Sequence, residues 1–308
     1  DPSYAGQILV ITYPLVGNYG VPDPKYFQSK KIQVAGLVVS QHCVFPSHHQ
    51  SQKTLDCWLK ENNIPGISEI DTRSLTQKIR ETGTMLGKIV INDKNTDFYD
   101  PNKENIVAKV SAKRPKLFRS PKAKKTVCLL DCGYKKAILD CLLERNVNVY
   151  VVPWNFNPFA GHVAEKISGI VISNGPGDPK MAIETIETVR LAIKNNIPIL
   201  GICLGNQILS LAAGAQTYKL KFGHRSVNQP VKDLTTNRCY ITSQNHGFAV
   251  RTESLPKRWR MWFANLNDET CEGIVSDNRQ FMGVQFHPEG HPGPEDTRWV
   301  FEEFVKKL

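Results

Sequence analysis

One of the eight cysteines stands apart by its setting. Cys203 lies in Gly201-Ile202-Cys203-Leu204-Gly205, between the apolar run 197–202 and a helix-like stretch. Strand, tight turn and helix together form the setting that holds a nucleophile at the head of a helix. Glycines two residues to either side remove side-chain clashes from so sharp a turn and leave the residue between them strained. A thiol there feels the helix dipole, which favours the thiolate. The amide of Leu204 would point where an oxyanion forms. Taken alone, the same five residues also describe a buried cysteine at an ordinary turn.

A second element lies near the C-terminus, in Gly283-Val284-Gln285-Phe286-His287-Pro288-Glu289. In an extended run His287 and Glu289 project to the same side. A base oriented by an acid is what a cysteine nucleophile requires. His246, in Gln244-Asn245-His246-Gly247-Phe248, is a second candidate base. A third element, Ser173-Asn174-Gly175-Pro176-Gly177-Asp178-Pro179, follows an apolar run. It reads as a plain turn before a helix, or as a loop whose bare amides approach a ligand. No Gly-Lys-Ser/Thr follows it, so it is not a phosphate-binding loop.

These elements need a scaffold, and the pattern around them supplies one. After residue 125, strand-like runs (126–131, 147–152, 169–173, 197–202) alternate with helix-like segments (134–146, 181–194). That alternation predicts an α/β fold with a parallel sheet covered by helices on both faces. Ligands bind such sheets at the carboxyl ends of the strands. Residues 1–110 read as a smaller mixed α/β domain without catalytic spacing. It has strands over 8–11, 32–40 and 87–91 and helices over 52–62 and 71–82.

Residues 111–125 carry seven basic side chains and no acid, out of a net charge of +10. With two prolines and only Leu117 and Phe118 as apolar bulk, the stretch is expected to be a solvated linker and not a nucleic-acid surface. The domains are therefore expected at 1–110 and 126–308. No run is long and apolar enough to cross a membrane. No Cys-x-x-Cys or His/Cys cluster has metal-ligand spacing. No signal peptide is visible, and the chain opens straight into a strand-like run, so upstream residues are expected to be missing. Reduced, buried thiols fit a cytoplasmic location, with mitochondria the alternative.

The three elements in this order resemble the class I, triad-type glutamine amidotransferases over residues 126–308. Asp1-Pro2-Ser3-Tyr4, Tyr13-Pro14-Leu15-Val16-Gly17-Asn18, Asp71-Thr72-Arg73-Ser74-Leu75-Thr76 and His291-Pro292-Gly293-Pro294 extend the likeness to the carbamoyl-phosphate synthetase small subunits, above all the eukaryotic fused forms. The resemblance implies that Cys203 attacks the glutamine side-chain amide, that His287 moves the proton, and that Glu289 orients His287. It implies an oxyanion hole from the amides of Gly175 and Leu204. It places L-glutamine against Ser3, Gly175, Gly177, Leu204, Gln207, Asn245, Gly247 and Phe248. It further implies ammonia delivery to a synthetase large subunit or fused domain, in pyrimidine or arginine biosynthesis. ATP, magnesium and bicarbonate belong to that partner, and this chain needs no cofactor or metal. One departure stands out: the family usually has His where this chain has Asn206. Two other readings remain, an impaired scaffold for an ammonia-dependent synthetase, supported by Asn206, and a stand-alone thiol hydrolase.

Overall fold

A computed structural model describes residues 1–92, 97–161 and 166–308, in two compact units, Asp1–Ile106 and Val107–Leu308. In the first unit β1 (Ile8–Val16), β2 (Gly36–His42) and β3 (Gly66–Ile67) form a parallel sheet in that order. Helix α1 (Leu55–Glu61) is capped by Thr54, whose hydroxyl accepts from the Cys57 amide. Helix α2 (Thr72–Thr82) is capped by Asp71, which accepts from the Ser74 amide at 2.9 Å. Both caps satisfy donors that a helix start leaves open. The strand expected over 87–91 does not form: 87–90 carry no strand and belong to neither sheet. Ile89 instead spends its side chain on packing, with its Cδ1 lying 2.6 Å from where a Cβ on Gly36 would stand.

The second unit begins within α3 (Ile106–Val110) and is built on one ten-stranded sheet. Its first strands are β4 (Lys116–Phe118), β5 (Lys125–Asp131), β6 (Val147–Pro153), β7 (Gly169–Ile172) and β8 (Ile199–Ile202). The helices between them are α4 (Lys136–Glu144), α5 (Ile183–Lys194) and, after β8, α6 (Leu204–Ala213). Then come β9 (Gln216–Asp233), β10 (Cys239–Arg251), β11 (Trp259–Asn265), β12 (Cys271–Ser276), β13 (Phe281–Val284) and the closing helix α7 (Trp299–Val305). Across the sheet the order is β10-β9-β11-β12-β13-β8-β7-β5-β6-β4.

Strands β6, β5, β7, β8 and β13 are mutually parallel, as expected. The sheet as a whole is mixed, because β9 to β12 add an antiparallel half. The parallel strands are apolar on both faces because helices cover both. Val127 and Leu129 of β5 pack with α4 and α7 residues such as Leu142 and Phe301, while Cys128 and Leu130 pack with Val189 and Ile208 of α5 and α6. Each such side chain, fully buried, contributes roughly 1.5–3 kcal/mol.

The expected linker 111–125 is part of this unit. Its two apolar residues form β4, antiparallel to β6, with Leu117 opposite Tyr150. The Ala112 amide donates to the Asp131 carboxylate at 2.7 Å, and the Ser120 amide to Asn148 at 3.0 Å. The seven basic side chains all stay exposed. Composition registered the charge; two half-buried apolar residues sufficed to fix an edge strand.

Candidate active site

The sheet brings the nucleophile turn and the His287 segment together through its backbone. β8 and β13 are neighbours, with Ile202 opposite Val284, so the residues just past each strand meet at the same sheet edge. The Cys203 amide donates to the Val284 carbonyl at 2.8 Å. Cys203 has φ 54° and ψ −105°, a conformation that costs of order 1–3 kcal/mol in a residue other than glycine. Its flanking glycines serve close packing. A Cβ on Gly201 would stand 2.4 Å from the Gly205 carbonyl oxygen, and one on Gly205 would stand 2.1 Å from that of Ile172. The turn can therefore sit flush against β7, and the strain falls on the cysteine.

Glu289 Oε1 accepts from His287 Nδ1 at 2.7 Å, and all three triad side chains are buried. The carboxylate thus fixes the proton on Nδ1 and leaves Nε2 free to act as a base. Nε2 is buried without a formed hydrogen bond, while the Cys203 thiol lies close enough to act on the imidazole. Such contacts tighten when substrate binds. Burial lowers the basicity of His287, but the Glu289 charge and the Cys203 thiol outweigh it and raise the imidazole to about 9. Burial likewise opposes ionisation of Glu289, yet Lys135 and His287 hold its carboxyl down at about 2.

Lys135 was not foreseen. It is 2% exposed, at the head of α4, and its Nζ lies 2.9 Å from Glu289 Oε1 and donates to the Gly290 carbonyl. The Ser173–Asn174 loop braces it: the Lys135 amide donates to Asn174 Oδ1 at 3.1 Å, and the Cys132 amide to Ser173 Oγ at 2.9 Å. Lysines are almost never buried unless paired, so nothing in its local sequence gives it away. Its place just past β5, on the same sheet edge as Cys203, is the one available signal.

The other candidate base lies in different surroundings. His246 Nδ1 donates to the Phe248 carbonyl at 2.9 Å, and burial pulls its imidazole down to about 4. It belongs to another cluster that escaped the sequence reading. His224, His246 and Glu272 place their ligand-type atoms within 4.8 Å of one another. His224 bridges Glu272 at 3.0 Å and Asp268 at 2.9 Å, so the two carboxylates overcome its partial burial and raise it to about 9. A protonated imidazole between two acids accounts for this cluster.

Gly175 packs against Leu204: a Cβ there would lie 2.9 Å from Leu204 Cδ2 and 2.1 Å from the Cys132 carbonyl oxygen. Leu204 opens α6, so its amide is one of the first-turn donors that the helix itself cannot satisfy. Gly177 adopts φ 87°. Asn245 lies beside the nucleophile, its carbonyl 3.8 Å from Cys203 Sγ and its Nδ2 buried without a partner. The Phe248 carbonyl accepts from Gln207 Nε2 at 2.9 Å, and Gly247 stands between these β10 residues. Ser3 belongs to the first unit, in a turn over Pro2–Tyr4. Asn206 is buried and donates through Nδ2 to Gln285 Oε1 at 3.3 Å.

Comparison with known proteins finds relatives along the whole chain. Residues 128–307 match the family "Glutamine amidotransferase class-I", and residues 1–89 match "Carbamoyl-phosphate synthase small chain, CPSase domain". The arginine-specific carbamoyl phosphate synthase small chain of Saccharomyces cerevisiae is 45% identical over 325 residues, covering 100% of this chain and 79% of that one. The multifunctional protein pyr1-3 of Dictyostelium discoideum is 44% identical over 334 residues, but this chain spans only 15% of its length. A putative GMP synthase protein from Thermoplasma acidophilum shares the fold, with TM-score 0.52 and 22% identity over 59% of this chain and 93% of that one. From Asp1 to the closing helix, this chain belongs to the carbamoyl-phosphate synthase small-chain family of class-I glutamine amidotransferases.

Proposed function

We propose that this chain hydrolyses L-glutamine and passes the ammonia to a carbamoyl-phosphate synthetase large subunit or fused synthetase domain. The observation that carries the reading is the buried relay from Cys203 through His287 and Glu289 to Lys135. His287 Nε2 takes the thiol proton, and the sulfur attacks the side-chain amide carbon of glutamine. The amides of Gly175 and Leu204 donate to the developing oxyanion. His287 then returns the proton to the leaving nitrogen, giving ammonia and a γ-glutamyl thioester. Water, deprotonated by His287, attacks the thioester and releases glutamate and the thiol. Gln207, Asn245, Gly247 and Phe248, with Gly177, hold the α-amino and α-carboxylate groups of the substrate.

ATP, magnesium and bicarbonate are used on the partner, which serves pyrimidine or arginine synthesis. The work is cytoplasmic, a placement resting on cysteine usage. The Asn206 side chain is turned to Gln285, and an inert scaffold is the reading that absent turnover would favour. Glutaminase assays on the chain with and without its synthetase test the reading. We expect slow turnover alone, faster turnover with the synthetase, and none in Cys203→Ser. Parental turnover in Cys203→Ser would remove the nucleophile, and equal kcat with and without the synthetase would favour a stand-alone hydrolase.

A further inference from the structure

A buried amide beside the nucleophile has no role in the relay above. Gln285 is fully buried, one residue past β13, and therefore level with Cys203 one residue past β8. Its Nε2 lies 3.7 Å from Cys203 Sγ. Which end of an amide faces a neighbour is settled only by the bonds around it, and here those bonds form a directed chain. The chain starts at the Phe248 carbonyl, which can only accept. Gln207 must therefore present its NH2 group there, at 2.9 Å. The same Nε2 lies 3.1 Å from Gln285 Oε1, so the oxygen of Gln285 faces Gln207. Asn206 Nδ2 adds a second donor to that oxygen at 3.3 Å. With its carbonyl engaged by two donors, Gln285 has only its NH2 left to turn toward the sulfur.

We propose that Gln285 is a catalytic residue whose side-chain amide donates to the Cys203 sulfur and holds the thiolate, its orientation fixed by Gln207 and Asn206. The assignment rests on Cys203 being the nucleophile of the proposed reaction. It also gives Asn206, the family departure, a positioning part: its side chain works on Gln285 and not on the substrate. The space is shaped for it, since a Cβ on Gly283 would collide with Asn206 Oδ1 at 2.4 Å. A donor to a thiolate stabilises the anion more than the thiol, because hydrogen bonds to charged groups are the stronger class.

The test is the pH dependence of Cys203 alkylation by iodoacetamide on the full chain, without glutamine. The Cys203 peptide is followed by mass spectrometry, because Cys57 and Cys239 are exposed and will also react. Gln285→Glu keeps the acceptor for Gln207 and Asn206 but loses the donor; Gln285→Met loses both. In each variant the alkylation midpoint should move up by about one pH unit or more. kcat should fall about tenfold with KM nearly unchanged. Gln285→Glu also brings a carboxylate to the sulfur, which raises the midpoint by itself, so Gln285→Met decides: a merely structural role would leave its midpoint in place, and an unshifted midpoint in the folded Met variant overturns the assignment. Should both variants fail to fold, the wild type decides. The Gln285 side-chain amide protons, followed by NMR with labelled glutamine, should shift as Cys203 ionises, and their indifference would refute the contact. A wild type that passes this test but releases no ammonia would overturn the glutaminase reading and leave the Gln285 contact standing.

Discussion

Replacing Lys135 with Met tests whether the relay needs its fourth member. The side chain keeps its length and loses its charge, so among the described residues Glu289 is left with His287 as its ion-pair partner. Holding the Glu289 carboxyl at about 2, against an ordinary 4.5, corresponds to about 3 kcal/mol at neutral pH. Lys135 and His287 share that figure, the Lys135 charge being the largest single cause of the lowering. Breaking a buried pair by removing one partner costs about 3–5 kcal/mol, because an uncompensated charge remains. Urea unfolding at pH 7 should therefore show a loss of about 2–4 kcal/mol. Glutaminase kcat should fall about tenfold or more, since a loosely held acid no longer fixes the imidazole. Lys135→Arg should recover part of the stability. A Lys135→Met protein within about 0.5 kcal/mol of the parent, the range expected of an ordinary surface change, and with parental kcat, would refute the view that Lys135 holds the triad.

The triad also sets a pH window for stability. The folded state lowers Glu289, so its contribution is full above about 4.5 and lost as pH falls toward about 2; it raises His287, whose contribution is full below about 6.5 and lost as pH rises through about 9. The gap in unfolding free energy between parent and Glu289→Gln, measured from pH 3 to 7, should therefore close toward the acid end, and a constant gap would contradict the assignment. His287→Asn should cost more turnover than Glu289→Gln, because an orienting acid is worth less than the base; loss of turnover in His246→Ala with retention in His287→Asn would reverse the roles. Gly205→Ala should destabilise by about 1–3 kcal/mol or more, the usual toll of overpacking, since its Cβ would stand 2.1 Å from the Ile172 carbonyl oxygen. Changing Lys113, Lys122 and Lys124 together to Gln should leave turnover unchanged, because all three are exposed and lie away from the paired β4 residues.

The parts of this chain that were legible in sequence are those whose physics is local. β5, β7 and β8 announce themselves as short apolar runs because helices cover both faces of their sheet. Cys203 shows through its glycines because close packing at Gly201 and Gly205 forbids a Cβ. His287 and Glu289 show because their partnership spans two residues. Lys135 did not show, since the carboxylate that pairs it lies far away in sequence, and a lysine at a helix start is ordinarily wet. Gln285 hid in plain alternation beside His287, its role visible only once Gln207 and Phe248 are placed around it. The antiparallel half from β9 to β12 was missed because its longest strands, β9 and β10, interrupt their apolar residues with polar ones, several of them buried, such as Thr242, Gln244 and His246. Their stability comes from cross-strand pairing, which a one-dimensional pattern does not display.

The neighbouring placement of β8 and β13 makes the distance between nucleophile and base a property of the main chain. Everything between Ile202 and Phe281 is an excursion that leaves one strand and returns to the next. The tip of that excursion, at Leu234 to Asn237, is an exposed hairpin turn held by the Asp233 carboxylate. Exposed loop tips are where added chain is best tolerated. Extra sequence grafted there would lengthen the path between Cys203 and His287 without altering the register that spaces them. The architecture thus uncouples the site from the length of its own connecting chain, and an inserted reporter or docking peptide could be carried at Leu234–Asn237 by an enzyme whose chemistry is set elsewhere.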